Sequence, residues 1–380
     1  MRKKYNVFYI DPQSNENLYI YDYKLLSNVA LPSLYICSSF YSFLPLPSHV
    51  HQQKLISYYR FKNRLLQGIS FLCSYTQIFF YLVRYRPDIV HTQWLKMPTF
   101  EYHFYRAMRF FLGFKLIFTA HNLLPHDTGN RYVLFFQRWY KLADAIIVHT
   151  ADTKRDLQQL FDVPEKKVHV IMHGILDLGE ESASTDERLN ELDHIYQIEN
   201  KIVFSSLGAQ SYYKGTDILA EVWADTDELR NNGDLRLVVV GMNNGVNLQN
   251  IKKIPNVIIK EERIPNDEFS YLLQHTDVYL LPYRVISQSG ALLTAIAAHV
   301  PVLASSVGGL KDPFELGRIG WQLSKLSKES LKEIMLHIVN HPEEIKKIKE
   351  DTKTWDLVCQ HFDWTVIGQK TLKIYEKFIC

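Results

Sequence analysis

Four histidines in the first half of the chain each close an apolar run: His91 after PDIV, His121 after LIFTA, His149 after AIIV and His173 after VHVIM. In open parallel sheets ligands bind beyond the carboxyl ends of the strands, so these imidazoles would fall along one functional edge. Each could equally be a hydrogen-bonded structural histidine at a sheet rim. His121 differs from the others because Asn122 follows it, and then Leu123-Leu124-Pro125-His126-Asp127. A helix cannot run regularly into Pro125, so the segment makes a polar loop at the same edge. There His121, with His91, Asn122 and His126 as further candidates on that side, could orient a substrate hydroxyl or stabilise developing charge.

The second half carries residues suited to an anion. Ser287, Gln288, Ser289 and Gly290 lie where the apolar, helix-forming run Ala291–Ala298 should begin. A helix start offers unpaired N–H groups and the positive end of the dipole, a combination that suits a phosphate. Ser289 could also be a plain helix cap. Upstream, Gly208 ends a strand and Lys214-Gly215 precedes a helix whose apolar positions are Ile218, Leu219, Val222 and Trp223. A lysine at the carboxyl edge of a sheet, opposite the Ser289 loop, makes a two-sided grip on a diphosphate. Arg284 could add a guanidinium fork or be a surface ion-pair partner.

The elements that must position these residues alternate between short apolar runs and longer segments of helical period, which is the sequence form of a parallel α/β sheet. Strands are expected at Val7–Ile10, Leu34–Ser38, Asp88–His91, Leu116–His121, Ala145–His149 and Val168–Met172. A second set is expected at Ile202–Leu207, Leu235–Val240, Val257–Ile259, Val278–Leu281 and Val302–Ala304. Two doubly wound domains follow: residues 1–176, then an acidic and small-polar linker or insertion at 177–200, then 201–355, with 356–380 as a closing helical segment. At 380 residues the chain is long for one core, which agrees.

Composition excludes several classes. Lys plus Arg number 43 against 41 Asp plus Glu, so no global field argues for nucleic acid. Cys37, Cys73, Cys359 and Cys380 are scattered without a C-x-x-C pair, which indicates neither zinc nor a disulfide framework and fits a reducing cytoplasm. The apolar run of the N-terminus stops at Asp11, too soon for a signal peptide. The uncharged span between Arg64 and Arg84 has membrane-crossing length, but Gln67, Ser70, Ser74, Thr76 and Gln77 within it point to a buried amphipathic helix. Asp225-Thr226-Asp227 spells D-x-D, yet it follows helical residues and reads as a helix terminus, so no metal is implied. Neither G-x-G-x-x-G nor G-x-S-x-G occurs where a dinucleotide or a nucleophile elbow would need it.

With Gly208, Lys214-Gly215, YRVISQSG, HVPVLASSVGGL and FTAHNLLPHD in order from PDIVHTQW to WTVIGQKTLKIYEKF, the chain resembles glycosyltransferase family 4. Those are retaining enzymes of the GT-B fold, with two Rossmann-like domains facing a cleft. The resemblance implies a nucleotide-diphosphate sugar, UDP- or GDP-linked, held mainly by the second domain. It implies a glycan or lipid-linked glycan acceptor held mainly by the first, no cofactor and no metal. The final helix, roughly Trp364 to Phe378, is expected to return to the first domain. By position Lys214 is similar to the family's pyrophosphate lysine, Ser289 with Gly290 to its diphosphate loop, and His121 to its first-domain histidine. The implied activity is transfer with retention, in surface polysaccharide biosynthesis on the inner face of the cell membrane.

Two departures stand out. Many family members carry two glutamates eight positions apart across the donor loop, where this chain has Ile286 and Thr294; the arginine often found before the lysine has Gln210 as its nearest counterpart. A subset with a Y-R...Q-S-G loop also lacks the glutamates, and this chain resembles that subset, with Gly208, Lys214, Arg284, Gln288, Ser289, Gly290 and Thr294 as its donor-side residues. The alternatives are a GT-B nucleotide-sugar epimerase and a non-catalytic nucleotide-sugar-binding relative. Basic and aromatic residues interleave over His103–Lys115, with Lys54, Arg60, Lys62 and Arg64 upstream, a pattern that can lie on anionic lipid.

Overall fold

The computed structural model describes residues 5–14, 19–39, 45–124, 132–176 and 185–379. It divides into two compact units, Met1–Gly174 with Asp363–Cys380, and Ile175–Phe362.

In unit 1 the strands are β1 (Val7–Ile10), β2 (Ser33–Ser38), β3 (Val50–Ile56), β4 (Ile89–Thr92), β5 (Lys115–Thr119), β6 (Ala145–Val148) and β7 (Val168–Val170). They form one sheet in the order β3-β2-β1-β4-β5-β6-β7, every pair parallel. The helices are α1 (Tyr19–Asn28), α2 (Arg64–Tyr85), α3 (Pro98–Leu112), α4 (Val133–Leu142) and α5 (Ala151–Phe161). Central strands β1, β4 and β6 are buried along their whole length, as a sheet covered on both faces requires. The strand order reverses between β1 and β4, and that is where an open α/β sheet leaves a crevice.

Unit 2 begins with α6 (Asp186–Tyr196) and continues with β8 (Ile202–Leu207), α7 (Thr216–Asp225), α8 (Asp227–Arg230), β9 (Leu235–Val240), β10 (Val257–Lys260), α9 (Asn266–Gln274), β11 (Val278–Leu281), α10 (Gly290–Ala297), β12 (Val302–Ser305), β13 (Gly320–Leu323), α11 (Lys328–Asn340), α12 (Pro342–Glu350) and α13 (Thr352–His361). Its sheet runs β10-β9-β8-β11-β12-β13, again parallel throughout, with the reversal between β8 and β11. Both halves are thus doubly wound, as the alternating sequence pattern predicts.

Two strands escape that pattern. β3 is VHQQKLI, an edge strand only partly covered over its five central residues, and β13 is the four-residue edge GWQL. Neither offers an apolar run, because an edge needs none. The segment expected as a linker belongs to unit 2 instead: α6 docks on α9 through Arg188 Nε to Asp267 Oδ2 at 2.8 Å and Tyr196 OH to Glu268 Oε1 at 2.5 Å. Residues 177–184 of that segment lie outside the described residues.

The last helix, α14 (Trp364–Glu376), belongs to unit 1 and starts on Asp363, whose Oδ1 accepts from Thr365 N at 2.7 Å. It packs closely on α1, since a Cβ at Gly368 would sit 2.3 Å from the Asn28 carbonyl oxygen. Helix α2 packs one face on the core, as expected of an amphipathic helix, but carries apolar residues on both faces. Ser70, Ser74, Phe71, Tyr75, Ile78 and Leu82 face the core, while Leu65, Ile69, Leu72, Phe80 and Val83 lie exposed. The inward serines are satisfied, Ser74 Oγ donating to Leu55 O at 2.8 Å, so polarity did not mark the outer face.

Candidate functional site

In unit 2 two loops leave the neighbouring strands β8 and β11 at the reversal point. The first carries Gly208 (φ +98°) and Lys214; the second carries Tyr283 to Ser289. They touch where Gly215 (φ +71°) meets Pro282, and a Cβ there would lie 1.9 Å from the Pro282 carbonyl oxygen. The contact and the left-handed conformation together require glycine. Lys214 is half-buried, with Nζ 5.5 Å from the centre of the Tyr283 ring, and no acidic residue pairs with it among the described residues. Burial lowers the pKa of its ammonium. Ser289 is buried and its Oγ accepts from Leu292 N at 3.3 Å, so it caps α10. Gly290 is the exposed first residue of that helix, and Thr294, one turn on, is buried.

Three polar atoms near this edge are buried without a protein partner: Ser211 Oγ in the first loop, Gln288 Nε2 in the second, and Ser305 Oγ at the end of β12. Buried polar groups are nearly always satisfied, so these three atoms are available to bond a ligand or water at this edge.

Arg284 does not serve as a loose cation here. Its Nη1 and Nη2 reach Asp217 Oδ1 and Oδ2, each at 2.7 Å, its guanidinium stacks 3.8 Å over the Tyr212 ring, and it also bonds the Tyr212 carbonyl. The expected donor contact is therefore corrected to an internal clamp: the fork is taken by a carboxylate of α7, and it ties the Lys214 loop to the loop after β11. Gln210 likewise does not replace an arginine. It is fully buried, and its amide bonds Gly208 O at 2.7 Å, Ser206 O and Val240 O, while Thr216 Oγ1 donates to it at 3.0 Å.

In unit 1, His121 and Asn122 line a cavity of about 230 Å³ together with Gln13, Gln93, Trp94 and Phe136. Trp94 stacks flat on His121, centroids 4.7 Å apart and planes 7° from parallel. Both imidazole nitrogens are engaged, Nε2 with Gln93 Oε1 at 2.7 Å and Nδ1 with His149 Nε2 at 3.0 Å. Burial, then the imidazoles of His149, His173 and His91, hold His121 well below the ordinary histidine pKa. Burial also pushes His149 down to about 3 and His173 to about 4.

His91 is corrected from acceptor-side residue to core residue. It is fully buried inside β4, with Nδ1 2.5 Å from Tyr375 OH on α14 and Nε2 2.7 Å from Thr119 Oγ1 on β5. Burial lowers its pKa to about 3. It ties the last helix to the sheet. His126 lies outside the described residues.

The sequence reading missed Asp11, Asp22 and Gln93. Asp11 follows β1 and Gln93 follows β4, so they face each other across the reversal point, and Gln93 Nε2 bonds Asp11 Oδ2 at 3.1 Å and also Asp22 Oδ1. Both carboxyls are fully buried. Asp11 was open to the same reasoning as the histidines, being the polar residue that closes an apolar strand. Asp22 was not, because it lies inside α1.

Two Rossmann-like units, each with its polar residues at the strand-order reversal, define the GT-B class of glycosyltransferase. The model of Glycosyltransferase Family 4 matches residues 35–176, and that of Glycosyl transferases group 1 matches residues 199–341. The chain belongs to glycosyltransferase family 4. It is 26% identical over 180 residues to an uncharacterized glycosyltransferase of Methanocaldococcus jannaschii, covering 45% of this chain and 47% of that protein. It is 24% identical over 243 residues to the D-inositol 3-phosphate glycosyltransferase of Corynebacterium aurimucosum, covering 61% of this chain and 56% of that enzyme. The chain thus spans about half the length of these relatives. Among solved structures, Anabaena HepE in complex with UDP and glucose superposes with a TM-score of 0.72 at 14% identity, over 98% of this chain and 99% of that one.

Proposed function

We propose that this protein transfers a sugar, with retention of anomeric configuration, from a nucleotide-diphosphate sugar held by unit 2 to a glycan or lipid-linked glycan held by unit 1, in surface polysaccharide synthesis. The observation that carries the reading is Lys214. It is a half-buried ammonium with no carboxylate partner among the described residues, at the strand-order reversal and beside a loop that ends at the start of α10. An uncompensated cation of this kind is suited to a diphosphate. The UDP in the HepE structure supports a uridine nucleotide as the first donor to test.

In the proposed step the bond between the sugar C1 and the diphosphate oxygen breaks as the acceptor oxygen bonds C1 on the same face. The acceptor proton passes to the departing phosphate. Lys214 and the N-terminal end of α10 then stabilise the charge that grows on the leaving group, where preorganised donors count most. They would do so without a divalent cation. The D-x-D sequence supports this: it spans the junction of α7 and α8 and not the edge where Lys214 lies.

The exposed leucine side of α2, flanked by Lys62 and Arg64 at one end and Arg84 and Arg86 at the other, supports peripheral attachment to anionic membrane, where a lipid-linked acceptor would be met.

The test is turnover of UDP- and GDP-sugars with and without glycan acceptors, in EDTA. Acceptor-dependent release of free nucleoside diphosphate is expected. Conversion of the donor sugar without any acceptor would make the protein an epimerase, and tight donor binding with no release would make it a binding protein.

A further inference from the structure

The loops at the carboxyl edge of unit 2 carry no acid around the strand-order reversal. Residues 208–216 after β8, residues 241–256 after β9, and residues 282–311, which include the loops after β11 and β12, contain neither Asp nor Glu. Acids are not scarce in the chain as a whole, which has 41 Asp plus Glu in 380 residues. Asp217, which follows the first of these stretches on α7, has both oxygens on the Arg284 guanidinium. Glu261 and Glu262 follow β10, the outermost strand, and Glu261 is bonded by Lys252 and Asn243.

The backbone acceptors of the same loops are engaged internally. Gly208 O accepts from Gln210 Nε2 at 2.7 Å, Ser211 O from Lys214 N at 3.0 Å, and Tyr212 O from Gly215 N at 3.0 Å and from Arg284. Tyr213 O accepts from Arg284 N at 2.8 Å, and Ser287 O from Gly309 N at 3.1 Å. What is left over is donors. They are the Lys214 ammonium, which bonds no carboxylate among the described residues, and the buried Gln288 Nε2, with the buried Ser211 and Ser305 hydroxyls able to donate as well. Such an edge complements a ligand rich in acceptors and negative charge.

Gln288 is held firmly beside the proposed diphosphate position. It immediately precedes Ser289, the cap of α10, and a Cβ at Gly309 would lie 3.2 Å from both its Cδ and its Oε1. Gly308 (φ +48°) approaches the same loop, where a Cβ would meet Ile286 O at 1.7 Å. The amide oxygen thus lies against the loop after β12, and Nε2 is the end without a protein partner. A diphosphate received by Lys214 and the start of α10 brings the sugar joined to it next to Gln288.

A neutral hexose suits this edge poorly, because each hydroxyl brings an O–H that needs an acceptor once buried. A carboxylate on the sugar donates nothing and accepts through two oxygens, and hydrogen bonds to it are about twice as strong as neutral ones. It also meets no like charge on these loops. We propose that the donor sugar is acidic, a hexuronate joined to a nucleoside diphosphate, and that Gln288 Nε2 receives its carboxylate. This rests on the reading of unit 2 as the donor domain and specifies the class of sugar that domain takes.

The test uses nucleotide sugars matched in all but C6, CH₂OH against carboxylate: UDP-glucose with UDP-glucuronate, UDP-galactose with UDP-galacturonate, and GDP-mannose with GDP-mannuronate. Each is titrated calorimetrically into the full chain, beside UDP and GDP alone. In at least one pair the uronate should bind about tenfold tighter, the difference between a hydrogen bond to a charged group and one to a neutral group. Gln288→Met removes the donor without adding charge and should bring that ratio close to one. Gln288→Glu keeps the shape and should bring it below one; its repulsion of the diphosphate falls on both members of a pair, so the ratio reads the C6 group alone. Nucleotide binding with the neutral sugar equal or tighter in every pair would overturn the proposal and leave the donor domain standing. A uronate preference unchanged in Gln288→Met would overturn the role of Gln288. Failure of every nucleotide to bind would overturn the donor reading itself, and the proposal with it.

Discussion

Arg284 and Asp217 form a two-pronged ion pair, both N–O distances 2.7 Å, that joins the loop after β11 to the first turn of α7. The pair is partly exposed, at 24% and 27% of the side chains. Breaking it should therefore cost only about 1 kcal/mol of stability. Asp217→Ala should give a small fall in melting temperature and Arg284→Ala a somewhat larger one, because the arginine change also removes the stack on Tyr212 and the bond to its carbonyl, and both should give only a mild loss of donor affinity. If Arg284→Ala abolished UDP binding while Asp217→Ala did not, the guanidinium would be a direct donor ligand after all. Calorimetric titration with UDP on both variants decides.

Lys214 should behave differently. As the unpaired cation at the proposed diphosphate site, its loss in Lys214→Ala should lower kcat by about 10² to 10³-fold, in the range seen when one preorganised donor to developing charge is removed. The folded state should be no less stable, since burial of an unpaired ammonium costs free energy. Because burial lowers its pKa, UDP affinity should also weaken on the alkaline side sooner than an ordinary lysine would cause. Equal kcat in variant and wild type, measured by nucleoside diphosphate release, would remove Lys214 from the mechanism.

The two sheets were legible because their central strands are buried on both faces and so must be apolar runs. The edges β3 and β13 were not: VHQQKLI is only partly covered over its centre, and GWQL, though buried except at Gln322, is too short and mixed to read as an apolar run. Strand-end logic located His121, Gly208 and the Ser289 loop. It could not separate a strand-end residue that faces a cavity from one that points into the core, and His91 was misread for that reason. Arg284 and Gln210 were read by charge alone, whereas their roles follow from what lies opposite them, Asp217 and the backbone of the Gly208 loop. Asp22 had no signal at all: a lone acid within α1 becomes informative only when the fold brings Gln93 to it.

The same buried groups set the pH dependence of stability. His91 and His149 near 3 and His173 near 4 are neutral when folded and titrate near 6.5 when unfolded, so below about pH 6.5 the unfolded chain binds more protons. Each contributes stability that is lost as pH falls, about 1.4 kcal/mol per pH unit. Asp11 near 6 and Glu101 near 7, with Asp22 also raised well above the ordinary carboxylate value, act oppositely: the folded state binds more protons, and stability falls as pH rises from the ordinary carboxylate range. Between about pH 4.5 and 6 the two sets offset each other. The Asp11→Asn/Asp22→Asn variant should therefore be more stable than wild type at pH 7.5, with the advantage shrinking toward pH 4 as the acid contribution vanishes. Urea unfolding at pH 7.5, 6 and 4.5 tests the sign, and an advantage that grew toward acid would refute it.

Helix α2 presents a testable surface. Among the described residues it is the one helix long and apolar enough to cross a membrane, with a mean hydropathy of 1.3, yet its inward face is committed to the core through Phe71, Tyr75, Ile78 and Leu82. It therefore cannot span a bilayer while unit 1 stays folded. What remains is the outer stripe of Leu65, Ile69 and Leu72, exposed by 72%, 51% and 52%, with basic residues at both helix ends. A stripe of that kind can lie in the headgroup layer, each leucine-sized side chain gaining up to about 1.5 to 3 kcal/mol on full burial. Replacing Leu65, Ile69 and Leu72 together by Gln should abolish sedimentation with anionic vesicles while leaving the melting temperature within a few degrees, because none of the three packs in the core. Raising the salt should weaken wild-type binding only in part, since the apolar contribution is not screened. Unchanged sedimentation of the triple variant would show that α2 is not the membrane contact. Binding lost entirely at moderate salt would assign the contact to charge alone, for which the Arg106 and Arg109 face of α3 is the better candidate.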